Sequence, residues 1–182
     1  MEKLKIALVG TGNRGRSTYL PIIRTLQDDL TLVAVCDARA DSAESAGSEY
    51  GVPGFSDVEE MVRAVGPDIC AVVITPSNNH KVGVPLAEMG VSYVTETPID
   101  TDLSRADEMI AAAERNGTKI EVAENYYRVP SERIKRAMIL AGVFGKVHAA
   151  YNDFRGHGYH GVGLIRSYIG FDIGARRVFG VR

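Results

Sequence analysis

Cysteine is scarce: only Cys36 and Cys70 occur in 182 residues, and no Cys-x-x-Cys spacing joins them. That argues against a disulfide scaffold or a thiol redox pair. Each cysteine sits near the end of an apolar run and is expected as a buried free thiol in a reducing cytoplasm. No apolar run approaches the roughly 18–20 residues that a membrane span needs. Neither charge dominates, since the formal net charge is −2 and Lys and Arg are scattered. Nucleic acid and anionic membranes are therefore not expected as main partners. Repeats and low-complexity segments are lacking, and Met1-Glu2-Lys3-Leu4-Lys5 runs straight into a strand, so no secretory leader is expected. What is present, 45% hydrophobic and 24% charged residues, is ordinary globular composition. The length suits one full domain plus part of another.

Short apolar runs alternate with amphipathic stretches up to about residue 126. Residues 5–9, 30–36, 69–75, 91–95 and 119–123 read as five strands; 69–75 is apolar on both faces, as a central parallel strand should be. Between them, helices are expected from the glycine loop through 17–26, with Pro21 kinking it or marking a tight first half, over 38–50 ended by Gly51, and from an Asp57 cap to residue 65. Another runs to residue 89 before Gly90. The next, over 103–115, carries Leu103, Ala106, Met109, Ile110 and Ala113 on one stripe and ends at Gly117. This rhythm implies an α/β fold, a Rossmann-type doubly wound parallel sheet covered on both faces.

Beyond residue 126 the rhythm changes. A helix over 131–141 with Ser131 as cap is expected, then a strand over 146–154, a Gly- and His-rich loop over 155–163, and a helix over 164–169. Such elements cannot bury a sheet face. The expected organisation is a nucleotide-binding domain, 1–126, followed over 127–182 by a linking helix and the incomplete start of an α+β substrate domain. Its apolar remnant would favour self-association, so assembly with copies of itself stays open.

Gly10-Thr11-Gly12-Asn13-Arg14-Gly15 follows a strand and opens a helix. The first glycine permits a tight turn, the second lets backbone approach a pyrophosphate, and the third lets helix and strand pack closely. The helix N-terminus then offers N–H groups and positive dipole to phosphates. Asp37 stands at the end of the second strand, about 20 residues on, where a carboxylate holds a ribose 2′-hydroxyl. It repels a 2′-phosphate, so NAD is favoured; Arg39 keeps NADP open. Thr75, Pro76, Ser77, Asn79 and His80 end the third strand, and Glu96-Thr97-Pro98 the fourth. In an open parallel sheet, ligands lie beyond such strand ends, so these residues, with Asn125 past the fifth strand, are expected to line the cofactor crevice. Ser77 and Asn79 equally suit a capped turn.

The glycine loop, Cys36-Asp37, the stretch T-P-S-N-N-H at 75–80 and E-x-P at Glu96 together resemble the Gfo/Idh/MocA oxidoreductases. The resemblance continues through Tyr127-Arg128-Val129-Pro130 and Gly145-Lys146-Val147. It implies NAD(P)-dependent oxidation or reduction at a carbon of a sugar, polyol or related small molecule, with the substrate on a C-terminal sheet domain.

Two positions depart from the family pattern. Thr97 stands where the family has the lysine of Glu-Lys-Pro, and a hydroxyl supplies no positive charge. If His160 matches the family histidine, Gly156 occupies the place of the aspartate four residues before it; Asp153 is a nearby substitute. Hydride transfer from an alcohol needs a group to take the hydroxyl proton, and histidine suits that task. His160, or the neighbouring His157, is the expected base, with Glu96 and Thr97 near the reacting carbon. His157, Tyr127 and Arg128 are expected at the substrate. No metal site is expected, since Asp153, His157 and His160 fit no specific ligand spacing. The competing class is a catalytically silent nucleotide-binding sensor that retains the fold.

Overall fold

The computed structural model of the chain describes residues 3–153, 158–174, 176, 177 and 179. Its strands are β1 (Leu4–Val9), β2 (Leu30–Cys36), β3 (Gly54–Phe55), β4 (Ile69–Val72), β5 (Ser92–Thr95) and β6 (Ile120–Val122). The helices are α1 (Leu20–Thr25), α2 (Ala40–Tyr50), α3 (Val58–Val65), α4 (Asn79–Glu88), α5 (Leu103–Asn116), α6 (Pro130–Leu140) and α7 (Gly158–Ile169). One sheet runs in the order β3-β2-β1-β4-β5-β6, every neighbouring pair parallel. Strand order reverses between β1 and β4, which opens a crevice at their carboxyl ends. This is the expected Rossmann-type doubly wound sheet. The strand that sequence periodicity did not show is β3, two residues long and too short to display a period.

The chain divides into two compact units, Met1–Ala123 and Glu124–Arg182. In the first, alternate residues of β1 feed opposite layers. Ala7 and Val9 pack with Cys36, Cys70, Met61, Leu86 and Met109, while Ile6 and Leu8 pack with Leu20, Ile23, Val35 and Ala71. Each large side chain so buried contributes about 1.5–3 kcal/mol. A helix cap is worth about 1 kcal/mol, so the core decides this fold and the caps only trim its edges. In the second unit Leu164 is the one buried hydrophobic side chain among the described residues; Leu140, Phe144, Tyr151 and Phe179 are exposed.

Several local expectations are corrected. The glycine loop opens the first helix as expected, with helical conformation from Asn13, and the correction there concerns Pro21. Pro21 is accommodated by a π-turn over Gly15–Tyr19, where the Leu20 N–H donates to the Gly15 carbonyl. The widened turn takes up the ring and the missing donor, so the irregularity precedes the proline. On α5 the buried face is Ala106, Met109, Ala112 and Ala113, whereas Leu103 is 86% exposed and Ile110 44% exposed. Leu103 lies in the first turn, ahead of the packed region. Helix α6 starts with Pro130 in its first turn and Val129 as cap, rather than at Ser131. Proline fits that position because the N–H it lacks is unpaired there anyway.

Residues 146–153 form no strand. No other strand is described in the second unit, and a strand without a partner has no ladder to join. Helix α7 covers Gly158–Ile169, so Tyr159 and His160 are helical rather than part of a loop. Other signals match: Asp57 caps α3 by accepting from the Glu60 N–H at 2.8 Å, and Gly51 and Gly117 end their helices with left-handed backbone.

Candidate functional site

The three loop glycines are not equivalent. Gly10 has φ +100°, and a Cβ on it would lie 2.2 Å from the Val73 carbonyl oxygen. A Cβ on Gly15 would lie 2.1 Å from the Gly10 oxygen. Packing of the protein itself demands both. Around Gly12 a Cβ would meet nothing within 4 Å. The second glycine therefore opens onto free space, as backbone must where a ligand's phosphates come close. Asn13 and Arg14 follow it, both exposed, in the first helical turn.

Residues from β2 and α2 hold this loop. Thr11, 1% exposed, donates to Asp37 Oδ2 through its N–H at 2.8 Å and its hydroxyl at 3.0 Å. Its Oγ1 is also 2.8 Å from the Ser42 hydroxyl. Arg16, which the sequence reading missed, donates to the Thr11 carbonyl at 3.0 Å, to the Ser42 carbonyl at 2.9 Å and to Glu49 at 3.1 Å. Asp37 Oδ1 accepts from the Arg39 N–H at 3.0 Å. The Arg39 guanidinium turns away, onto Asp41 at 2.8 Å.

Beside Asp37 lies a cleft of about 390 Å³ at the carboxyl ends of β1 and β2. Val9, Cys36, Val58, Ile74 and Val82 give it apolar walls, and Asp37, Ser56, Asn78 and Lys81 supply polar groups. A mostly apolar slot with a few convergent polar groups suits a flat heteroaromatic ring joined to a hydroxylated sugar. Lys81, Val82, Val58 and Ser56 were not foreseen. Asn78, Lys81 and Val82 have the i, i+3, i+4 spacing of one helix face, a signal the sequence did contain.

Two expected crevice residues are turned elsewhere. Asn79 is fully buried and donates to the Ile99 carbonyl at 2.9 Å. His80 Nε2 lies 2.6 Å from Glu108 of α5. Each residue step rotates a helix by about 100°, so these side chains face α5 and the loop after β5 rather than the cleft. Thr75 is exposed, and Pro76 and Ser77 form a tight turn with it, closed by the Asn78 N–H on the Thr75 carbonyl at 2.8 Å.

At the end of β5, Glu96 Oε1 accepts from Arg14 at 2.7 Å and from the Tyr19 hydroxyl at 3.0 Å. Its Oε2 accepts from the Thr97 N–H at 3.2 Å. Burial by itself would raise the Glu96 carboxyl, but these three donors outweigh it and hold it below its ordinary range. Burial, then the charge of Glu96, pushes the Tyr19 hydroxyl far above its ordinary value. Thr97 itself is half-buried and precedes Pro98.

In the second unit, His160 Nδ1 lies 2.6 Å from Glu124 Oε2. Asp153 is exposed, and the carboxylate placed on the imidazole is that of Glu124. Tyr127 and Arg128 line a cavity of about 560 Å³ with Arg133, Arg136, Ala137 and Leu140. Asn125 is exposed, and its carbonyl accepts from the Arg128 N–H at 2.9 Å. Gly156 and His157 lie outside the described residues. Among the described residues, no three His, Cys, Asp or Glu side chains are grouped to hold a metal, and no helix is long and apolar enough to cross a membrane.

Comparison with known proteins follows the same lines. The Gfo/Idh/MocA family model, described as an oxidoreductase family with an NAD-binding Rossmann fold, matches residues 4–124. D-apiose dehydrogenase of Paraburkholderia graminis is 28% identical over 167 residues, 87% of this chain and 44% of that protein. D-glucoside 3-dehydrogenase of Escherichia coli is 28% identical over 148 residues, covering 80% and 41%. The WlbA dehydrogenase from Bordetella pertussis, solved in complex with NADH and UDP-GlcNAcA, superposes with a TM-score of 0.73 at 25% identity, over 80% of this chain and 44% of that one. The chain thus spans less than half the length of these relatives. With glycine loop, Asp37, sheet order and family model in agreement, the chain belongs to the Gfo/Idh/MocA oxidoreductase family.

Proposed function

We propose that this chain is the nucleotide-binding part, with the start of the substrate-binding part, of an NAD(P)-dependent oxidoreductase acting on an alcohol or carbonyl carbon of a sugar, polyol or related molecule. The observation that carries the reading is the pairing of an open backbone cradle at Gly12 with Asp37 held beside it by Thr11. A nicotinamide dinucleotide, when bound, supplies the hydride acceptor or donor. The residues present fit such a group. Gly12 and the first helical turn at Asn13 and Arg14 offer N–H groups to its pyrophosphate. Asp37 would take a ribose hydroxyl, and Val58, Ile74 and Val82 would flank the base.

The chain's own chemistry is then positional and acid–base. His160 accepts the hydroxyl proton when an alcohol is oxidised and returns it when a carbonyl is reduced. Tyr127 and Arg128 orient the substrate, and the Arg-rich cavity they line suits hydroxylated or anionic sugars. The carbohydrate class is supported by the names of the relatives, an apiose and a glucoside dehydrogenase among them.

Titration of the 182-residue chain with NADH and NADPH, followed by nicotinamide fluorescence, tests the reading. Saturable binding with NADH preferred is expected; no binding of either at millimolar concentration would remove it. Thr97, where the family has lysine, favours a second reading, a silent nucleotide sensor. Binding together with turnover of any aldose or polyol eliminates that alternative.

A further inference from the structure

The best-defined titratable pair of the second unit joins the first residues after β6 to the first turn of α7. His160 Nδ1 and Glu124 Oε2 are 2.6 Å apart, and their side chains are only 11% and 17% exposed. The carboxylate is held at both oxygens, since Oε1 accepts from the Tyr126 N–H at 3.3 Å. It lies against α7 at Gly163, where a Cβ would come within 3.3 Å of Glu124 Cγ. A larger residue there would press on the carboxylate, so glycine one turn past His160 gives it room. The ring is packed as well: Tyr126 and Tyr159 have ring centroids 4.5 Å and 4.4 Å from the imidazole, inclined at 51° and 53°. A carboxylate, a backbone donor, a glycine gap and two aromatic rings together determine how this imidazole sits.

We propose that Glu124 is the positioning residue of His160, fixing the imidazole in the tautomer that carries hydrogen on Nδ1 and leaves the lone pair on Nε2. This rests on the reading of His160 as the proton acceptor. An ionised carboxylate can only accept, so the bond between them requires Nδ1–H. A base held in one tautomer and orientation by a carboxylate loses no population to the wrong one, and the imidazolium formed in the reaction is stabilised by the adjacent negative charge. In the oxidation direction, the carbinol C–H bond breaks and its electron pair leaves with the hydrogen as hydride to an oxidised nicotinamide dinucleotide. The O–H bond breaks, its electrons form the C=O bond, and its proton goes to Nε2. In this step Glu124 acts only through the imidazole.

The tautomer is read without any ligand, by long-range ¹H–¹⁵N correlation on the full chain labelled at histidine, with the His160 signals assigned through their loss in His160→Gln. Wild type is expected to show a protonated Nδ1 and an unprotonated Nε2 in the neutral ring. Glu124→Ala and Glu124→Gln are expected to lose that pattern, with unchanged far-UV circular dichroism confirming that each still folds. The Nε2–H tautomer in wild type, or the same pattern in Glu124→Ala, would overturn the inference while leaving His160 as the base. In turnover of an aldose and polyol panel with NAD, Glu124→Gln is expected to lower kcat by roughly 10²-fold with KM little changed. Turnover unaffected by His160→Gln would overturn the base reading, and with it the purpose of the pair, whatever the tautomer.

Discussion

The Arg14 guanidinium, in the first turn after the glycine loop, meets the Glu96 carboxylate at the end of β5 at 2.7 Å, across 82 residues of sequence. The contact joins the first turn after the glycine loop to the strand end that carries Glu96 and Thr97. Glu96 is held below its ordinary value near 4.3, so in acid the unfolded chain binds the proton more readily than the folded one. The stabilisation is present above that range and is lost as pH falls through the folded value. Arg14 is 61% exposed, so the pair is worth about 1 kcal/mol after solvent screening. Arg14→Met should lower stability by about that amount at pH 7 and by less at pH 3. Urea unfolding at both pH values checks this; an equal difference at each would contradict it.

Gly15→Ala and Gly12→Ala should separate architecture from binding. At Gly15 the new Cβ meets backbone at 2.1 Å, which nothing can relieve without moving the loop, and overpacking of this kind costs about 1–3 kcal/mol or more. At Gly12 it meets nothing, so thermal stability should stay within about 0.5 kcal/mol of wild type. NADH affinity should nevertheless drop at least tenfold. A Gly12→Ala protein that binds NADH normally would place the pyrophosphate elsewhere.

Asp37→Ala should weaken NADH by about 10–100-fold, the value of a lost charge-assisted hydrogen bond of about 1.5–3 kcal/mol. NADPH should lose less, because the carboxylate no longer repels a 2′-phosphate. The ratio of the two dissociation constants is the informative quantity, because Asp37 also braces Thr11 and any loosening of the loop affects both cofactors alike. An unchanged ratio would mean that Asp37 serves the loop only.

Cys36 and Cys70 are both buried, and burial pushes each thiol up to about 12. For Cys36 the neighbouring Asp57 and Asp37 charges add to the effect. Against an ordinary thiol near 8.5, the thiolate fraction at pH 8 falls by roughly two-thousandfold. A disulfide-exchange reagent should leave both unmodified in the native chain and modify both in urea. Rapid labelling of the native protein would show that one of them is exposed.

Local signals carried much of this fold. Asp57 before α3 and the glycines after α2 and α5 mark ends because unpaired N–H groups and left-handed backbone favour those residue types wherever they occur. Short continuous apolar runs marked the five longer strands because strands buried on both faces require them. Where the argument failed, the deciding partner was distant or the element too short. β3 is two residues, Leu103 is apolar yet 86% exposed, and among the described residues the second unit has no strand for 146–153 to pair with.

The candidate site divides along the same line. The sequence alone determined the glycine loop, its helix and Asp37, because a tight turn, a close backbone approach and a strand-end carboxylate each need a particular residue type at a particular spacing. Only tertiary structure decided that Thr11 and Asp37, 26 residues apart, would share a hydrogen bond, or that Glu124 and His160, 36 apart, would pair. It also decided that Asn79 and His80 would face α5 while Lys81 and Val82 faced the cleft. Spacing states which residues share an element and a face. Which face meets a ligand, and which carboxylate meets a given imidazole, depends on how the packed core orients whole helices and strands.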